Sequence, residues 1–257
     1  MKLVALAVPV VLAACQSNGD DFPLGTGGGG GGVINNGGGG GGDDAGVDGG
    51  DGDAGLRLSG RVCVLTDLRK IGDARACATT DAGGLAVTLG GGTAMTAQDG
   101  SFTIAAPQGA GFTWHVTGGL NDNAVIRSAM AFGTENTIPA VRGVRYEDLL
   151  RSNGAGLDDL SGSIVMRLVR GSSALPALQL TTLDTELVFY DASNSDVWAT
   201  TQTGTFGIVW LPDVLIPSPA RAVSVSLTQQ PQGTQVAAPS ISVEDQTITF
   251  VTLDLPP

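Results

Sequence analysis

Several residue types are scarce in this chain, and each shortage disfavours a class of function. The 257 residues include two lysines, Lys2 and Lys70, and one histidine, His115. Acidic residues outnumber basic ones by 25 to 13, which gives a formal net charge of −12. An acidic surface without basic clusters repels phosphate backbones, so nucleic acid is not an expected partner. A single histidine also leaves little material for a histidine-based metal site.

Long hydrophobic runs are missing as well, and the run at the N-terminus is short. Residues 3–12 are apolar over ten positions, which is too few to cross about 30 Å of hydrocarbon as a helix. Pro9 interrupts this run and further disfavours a permanent membrane span. Lys2 precedes the run, and the small residues Ala13 and Ala14 follow it, in the order typical of a secretory signal.

The order Leu12-Ala13-Ala14-Cys15 resembles the bacterial lipobox. The resemblance implies that residues 1–14 are a cleaved signal peptide and that Cys15 carries the lipid. A stable anchor needs two or more acyl chains, because one chain binds a membrane only marginally. Gln16 follows the cysteine where an Asp would favour the inner membrane, which implies an outer-membrane protein that faces the periplasm or the cell surface. The alternative is an ordinary signal peptide cut after Ala14 with a chance cysteine.

Residues 15–55 have the composition of a spacer. They contain two hexaglycine runs, seven aspartates and no basic residue. Glycine loses more backbone entropy on ordering than any other residue, and little apolar area is present here to offset that loss. We therefore expect a disordered Gly/Asp-rich linker with a root-mean-square span of about 35 Å. The glycine runs lack the Gly-Lys ending of a phosphate-binding loop, and the aspartates lack EF-hand spacing.

The remaining two cysteines form an even pair. Once Cys15 is acylated, an oxidising compartment would join Cys63 to Cys77. Closing a loop of about 15 residues would stabilise the fold by roughly 3 kcal/mol in the chain-entropy model. Two buried free thiols or a metal pair are the alternatives, although no further histidine or cysteine lies nearby to complete a metal site.

From residue 56 onward, apolar residues alternate with polar ones at the period of β-strands. In the first block, residues 56–145, the alternating segments are 60–65, 85–89, 96–104, 112–116 and 125–126. Asp99-Gly100 predicts a tight hairpin turn within one of them. In the second block, residues 158–257, the segments are 164–168, 187–191, 206–210, 223–227 and 248–251.

The connector between the blocks, residues 146–157, carries the one helical signal. Residues 146–150 predict one or two helical turns that end at Asn153-Gly154. The sequence thus predicts an all-β fold with two small antiparallel β-sandwich domains after the linker. The spacing from Gly60 to Phe102 is close to that from Gly162 to Phe206, which suggests that the second block is a divergent copy of the first.

A family resemblance covers residues 58–117 and, less closely, residues 160–228. Its carriers are Gly60-Arg61-Val62, the strand that begins at Leu85, and the pattern Thr96-x-x-Asp99-Gly100-x-Phe102-x-Ile104. Together these resemble the carboxypeptidase regulatory-like domain. The resemblance implies a prealbumin-like β-sandwich that serves as a structural or binding module and contributes no catalytic residues. The chain departs from this pattern in its long first connection, and the second block lacks the Asp-Gly turn.

Candidate catalytic residues are few. A Ser–His–Asp site would have to use His115, and the chain has no Gly-x-Ser-x-Gly elbow. His115 is expected on a strand, pointing outward or toward the adjoining block. The acid pairs Glu147-Asp148 and Asp158-Asp159 are adjacent in sequence, whereas glycosidase chemistry needs two carboxylates across a cleft. We therefore predict no catalytic residue, no bound metal and no cofactor.

Three aromatic residues are candidates for ligand contact: Trp198, Tyr190 and Trp210. Trp198 lies among polar residues, which suggests a loop where an exposed indole could stack on a sugar ring. A tryptophan that covers the edge of the core is the alternative. The resulting hypothesis is a non-catalytic, lipid-anchored envelope protein whose partner is a protein or polysaccharide of the envelope. A carbohydrate-binding surface lipoprotein and an unrecognised hydrolase are the alternatives.

Overall fold

Strands dominate both blocks, as the alternating sequence predicts. The structure is a computed structural model that describes residues 56–78, 80–109, 111–131, 136–156, 160–191, 198–216, 220–237 and 239–256. All of them belong to one unit of the chain. The predicted signal peptide, Cys15, the Gly/Asp-rich linker and Asp158-Asp159 lie outside the described residues. The all-β fold class is confirmed.

The first block forms two facing sheets. Its strands are β1 (Arg57–Val64), β2 (Leu85–Leu89), β3 (Gly92–Met95), β4 (Ser101–Ala105), β5 (Thr113–Gly118), β6 (Arg127–Ala131) and β7 (Thr137–Ala140). One sheet has the order β4-β1-β7, and the other runs β3-β2-β5-β6. Apolar side chains from both sheets meet in a buried core that includes Val62, Leu85, Phe102 and Trp114. The predicted strand over 85–89 coincides with β2.

The Asp99-Gly100 turn forms, but the prediction of a hairpin there is wrong. Asp99 Oδ1 accepts a hydrogen bond from the Ser101 amide at 3.0 Å, and Gly100 has a φ of 84°. The strands on either side, β3 and β4, lie in different sheets. β4 pairs with β1 instead, where Phe102 stands opposite Gly60. A Cβ atom at Gly60 would lie 2.6 Å from the Phe102 ring, so this pairing needs glycine.

The predicted helix is present and longer than expected. Helix α1 (Gly143–Ser152) begins before residue 146 because the Gly143 amide donates to the Ala124 carbonyl at 2.7 Å. Asn153 ends the helix, as predicted. Tyr146 and Leu150, four residues apart, form its buried face. Short 3₁₀ helices span Leu68–Lys70, Ala74–Ala76 and Asn121–Asn123.

The second block also encloses its own core. Its strands are β8 (Ser161–Arg170), β9 (Ser173–Ala174), β10 (Leu178–Thr181), β11 (Phe189–Asp191), β12 (Trp198–Ala199), β13 (Ile208–Leu215), β14 (Ala220–Ser224), β15 (Ser226–Gln229), β16 (Thr234–Ala237), β17 (Ser240–Glu244) and β18 (Thr247–Asp254). Strands β12-β11-β13-β8-β18 form one layer, and the sheets β10-β15-β16 and β14-β17 supply the other. Buried Ile164, Leu178, Val209 and Leu227 lie between these layers.

One strand makes the two blocks continuous, which corrects the prediction of two separate antiparallel domains. β18 pairs in parallel with β8 on one side and with β6 of the first block on the other. A ten-stranded sheet therefore runs through both blocks. The first four residues of β18 are buried, as expected of a central strand with neighbours on both edges. Local alternation identifies such a strand but not its partners.

A third apolar cluster, the junction cluster, combines residues from both blocks. Cys63 and Leu65 extend from β1, and Tyr146 and Leu150 come from α1. They pack against the opposite face of the second block's large sheet, where Trp198, Trp210, Phe189 and Phe250 lie. The blocks are thus held together by a shared sheet and by a shared core.

Candidate functional site

The predicted disulfide is confirmed, and it anchors an ordered loop. Cys63 is bonded to Cys77 across a sequence separation of 14 residues. Within this disulfide loop, Asp67 Oδ1 accepts from the Arg69 amide at 3.0 Å, and Asp73 Oδ1 accepts from the Arg75 amide at 2.9 Å. Each Asp-x-Arg step starts a 3₁₀ turn, because an aspartate side chain satisfies an amide that the turn leaves unbonded.

A cleft of about 230 Å³ opens where the disulfide loop, α1 and β12 meet. We call it the Trp198 cleft. Apolar side chains form much of its wall, and charged groups from the loop and from α1 lie among them. The residues that matter for its chemistry are Leu65, Asp67, Arg69, Arg145, Leu149 and Trp198. Described residues of both blocks and of the helix line it.

Asp67 is already committed to a partner within the Trp198 cleft. Its two carboxylate oxygens accept hydrogen bonds from Arg69 Nε at 2.9 Å and from Arg69 Nη2 at 2.8 Å. Burial raises the pKa of the Asp67 carboxyl, but the side-chain and backbone hydrogen bonds from Arg69 outweigh it, so this pKa lies below its usual value. Lys70 Nζ also lies 3.9 Å from Asp67.

Arg145 is the cleft's unmatched charge. It lies exposed in the first turn of α1, and no carboxylate of the described residues pairs with it. Among the described residues that line the Trp198 cleft, Arg69 and Arg145 outnumber Asp67, so this wall carries an excess of positive charge within an acidic chain. Neither Arg145 nor Asp67 was predicted from the sequence as a site residue. The repeated Asp-x-Arg steps were the available signal for an ordered, charged loop.

The three aromatic residues that the sequence predicts to contact a ligand lie in different environments. Trp210 is fully buried, and its indole N–H donates toward Tyr146 Oη and Ser163 Oγ, each at 3.3 Å. Tyr190 Oη accepts from the Leu180 amide at 2.9 Å inside the second core. Neither side chain is available to a ligand, so for these two residues the prediction is wrong. Flanking residues gave no sign of this, because the enclosing strands come from distant parts of the chain.

Trp198 is 7% exposed and lies in strand β12, where the sequence predicted a loop. Its ring centroid lies 5.0 Å from that of Trp210, which holds the indole against the junction cluster. The alternative reading, a tryptophan at the edge of the core, is therefore the correct one for packing. The remaining exposed part of the indole lines the Trp198 cleft.

Burial also keeps both tyrosines of the chain protonated. The environment of Tyr146 raises its pKa to about 12, chiefly by desolvation of the charged form, despite hydrogen bonds with Ser163 and Trp210. Burial raises the pKa of Tyr190 as well. Both hydroxyls therefore act as hydrogen-bonding groups within the cores at neutral pH.

His115 lies toward the adjoining block, one of the two orientations that the sequence predicts. Its Nε2 atom is 2.9 Å from Glu244 Oε1, and Arg127 Nη2 is 2.7 Å from Glu244 Oε2. Glu244 belongs to β17 and the other two residues to β5 and β6, so this trio bridges the blocks. Of the other acids considered, Glu147 is exposed and Asp148 pairs with Arg151 at 3.2 Å.

The described residues hold neither a cluster of metal ligands nor a membrane-spanning helix. They contain no group of three or more His, Cys, Asp or Glu side chains placed to hold a metal ion. None of the helices within them is long and apolar enough to cross a membrane.

Comparison with known proteins assigns no family to the chain. No family model and no curated protein matches the chain. The major pilin subunit of Bacillus cereus is similar over 68% of this chain and 55% of its own length, at 11% identity and a TM-score of 0.22. Gamma-CGTase from alkalophilic Bacillus clarkii is similar over 66% of this chain and 23% of its own length, at 10% identity and the same TM-score. The chain thus spans about half of the first protein and a quarter of the second.

Proposed function

We propose that this chain is a lipid-anchored protein of the bacterial outer membrane. Residues 1–14 are its signal peptide, and Cys15 is the lipidated residue. The support is the order of the first 15 residues: one cation, a short apolar run, two small residues and a cysteine. Two or more acyl chains on Cys15 would hold the protein on the membrane without a spanning helix.

The proposed role of the folded part is binding or envelope structure, without catalysis. The linker of residues 15–55 places the β-sandwich blocks away from the lipid. One observation carries this assignment: the Cys63–Cys77 disulfide rigidifies the wall of a ligand-sized cleft and fits an oxidising, extracytoplasmic compartment. Two of the polar groups that an acid–base enzyme could use make structural contacts, since His115 is held by Glu244 and Asp191 is bonded to three backbone amides.

The finer family assignment is part of this proposal. We infer that both blocks derive from the carboxypeptidase regulatory-like type of β-sandwich. Each block has two facing layers of strands around a buried core of its own, and this supports the inference. The position of the Thr96 pattern between β3 and β4 supports it as well. The family contributes no catalytic residues, which agrees with a binding or structural role.

Lipid labelling tests the anchor directly. Cells that express the full chain are grown with radiolabelled palmitate, and the protein is recovered through a C-terminal epitope. We expect label on the wild-type chain and none on Cys15→Ala. The double variant Cys63→Ser/Cys77→Ser is the matched control and should keep its label. Label that persists on Cys15→Ala would contradict the proposal.

Protease treatment of intact cells then tests the location. Loss of the C-terminal epitope from intact cells would place the blocks at the cell surface, where contact with external glycans or other cells is the expected role. Protection until lysis would place them in the periplasm, where a role in envelope assembly is expected. Recovery of the protein with the cytosolic fraction would contradict both.

Carbohydrate recognition is the second candidate function. The observation that favours it is the indole of Trp198 in the wall of a cleft that also holds charged groups. Tyr190 and Trp210 take no part in this version of the hypothesis, since both side chains are enclosed by the cores.

A further inference from the structure

We propose that the Trp198 cleft binds one sugar ring that carries a carboxylate, such as a uronic acid unit of a polysaccharide. This inference rests on the proposed binding role of the β blocks and names the chemical class of the ligand. It is carried by the size of the cleft, its excess of cations and the occupied state of Asp67, the one carboxylate among the described residues that line it.

Size limits the occupant to a small group. The cleft has a volume of about 230 Å³, below the range of roughly 300–1,000 Å³ that drug-sized ligands fill. A single ring fits such a space, with its neighbours in the polymer outside. Trp198 is held in place by Trp210 and is 7% exposed, so it offers the C–H groups of a ring a narrow apolar contact at the wall of the cleft.

Charge selects an anion. Arg145 projects from α1, which packs on the junction cluster through Tyr146 and Leu150, and has no carboxylate partner among the described residues. A guanidinium presents two parallel N–H groups, which match the two oxygens of a carboxylate. Arg69 balances the single charge of Asp67, so the charge of Arg145 is the positive excess of the described lining.

The hydrogen-bonding groups of the cleft disfavour a neutral sugar. Hydroxyl groups of a neutral ring need acceptors as well as donors, and Asp67 is the only carboxylate among the described residues of the wall. Both oxygens of Asp67 already accept from Arg69. Thr66 Oγ1 donates its proton to the Ala76 carbonyl at 3.1 Å. Both carboxylate oxygens of the described wall thus have a donor already, whereas the Arg145 guanidinium still has N–H groups to offer, so the wall favours a ligand that brings an acceptor of its own.

Calorimetric titration of the full lipidated chain in detergent, at low salt, tests the proposal. The probes are D-galacturonate, D-galactose and acetate. We expect galacturonate to bind and the other two to bind at least about tenfold more weakly, since each lacks one of the two recognised features. Arg145→Gln should weaken galacturonate binding about tenfold or more. Added salt should weaken it too.

Arg151→Gln is the matched control, because Arg151 is exposed on the same helix but does not line the cleft. It should bind galacturonate as the wild type does, and circular dichroism should show both variants folded. If galactose bound as tightly as galacturonate, the carboxylate would not be recognised. If acetate bound as tightly, the sugar ring would not be recognised. Either result overturns the proposal, as does the absence of any binding. Lipid labelling at Cys15 is independent of these outcomes, so failure here leaves the anchor proposal standing.

Discussion

The two blocks share a strand arrangement. In the first, β1 lies between an antiparallel neighbour, β4, and a parallel one, β7. In the second, β8 lies between antiparallel β13 and parallel β18. The facing layers also correspond, because β2 pairs antiparallel with β5 and β10 pairs antiparallel with β15. The correspondence indicates that both blocks use the same arrangement of strands around their cores.

In the first block, a buried threonine holds the start of β2, which lies in the sheet that faces β4-β1-β7. Thr96 Oγ1 accepts a hydrogen bond from the Leu85 amide at 2.9 Å and donates to the Ala82 carbonyl. Gly84, just before Leu85, has a positive φ and donates its amide to the Thr96 carbonyl. These bonds fix the start of β2 against the chain that leads to β4.

Thr203 makes the same set of contacts in the second block. Its Oγ1 accepts from the Leu178 amide and donates to the Leu175 carbonyl, each at 2.9 Å. Ala177, just before Leu178, also has a positive φ and donates to the Thr203 carbonyl. Thr203 therefore corresponds to Thr96, whereas the sequence spacing aligned Thr203 with Asp99. The predicted match to Phe102 fails too, because Phe206 is 39% exposed in a turn.

The blocks differ in how the next turn is held. In the first block, Asp99 bonds to Ser101 two residues away, at the surface. In the second block, the buried carboxylate of Asp191, on β11, accepts from the amides of Gly204, Phe206 and Ile208 at 2.7–3.0 Å. A local aspartate thus leaves a recognisable motif, and a distant one does not. This explains why the family resemblance weakens after residue 158.

The largest difference between the two blocks is expected when the aspartate of each turn is replaced by alanine. Asp191→Ala leaves three amides without an acceptor, two of them in a partly buried turn and one in a buried strand. We expect the free energy of unfolding to fall by about 3 kcal/mol or more, measured by urea denaturation. Asp99→Ala is the matched control in the first block. It should have a much smaller effect because water can replace the exposed carboxylate.

Equal losses for Asp191→Ala and Asp99→Ala would contradict the comparison. They would mean that the two turns contribute alike, despite the difference in burial. Asp191→Asn sharpens the test, since the amide keeps one acceptor oxygen and the side-chain volume. Its loss should lie between the wild type and Asp191→Ala.

Local sequence patterns identified much of the fold and little of the site. The strand at 85–89, the helix before Asn153 and the cysteine pair all follow from neighbouring residues. The position of β18 does not, because alternation reveals a strand's buried face but not which strands lie beside it. The burial of Trp198 has the same cause, since Trp210 and α1 reach it from other parts of the chain.

The paired threonines should have equal effects if the correspondence is energetic as well as geometric. Thr96→Val and Thr203→Val each remove one hydroxyl that bonds two backbone groups. We expect each to lower the free energy of unfolding by about 1–2 kcal/mol. Thr103→Val is the control, because Thr103 is exposed on β4 and bonds only to the exposed Ser59 hydroxyl. If Thr203→Val left the free energy of unfolding unchanged while Thr96→Val lowered it, the two sites would share their geometry but differ in strain or solvation.

The smallest effect is expected at the charged bridge between the blocks. Glu244→Gln removes the carboxylate that His115 and Arg127 share, but these side chains remain between 21% and 44% exposed. Solvent screening limits such pairs to about 1 kcal/mol or less. Because the blocks also share a sheet through β18 and the junction cluster, urea should still unfold Glu244→Gln in one transition, as seen by tryptophan fluorescence and by circular dichroism. Two separate transitions in this variant would mean that the charges, rather than the continuous sheet, couple the first block to the second.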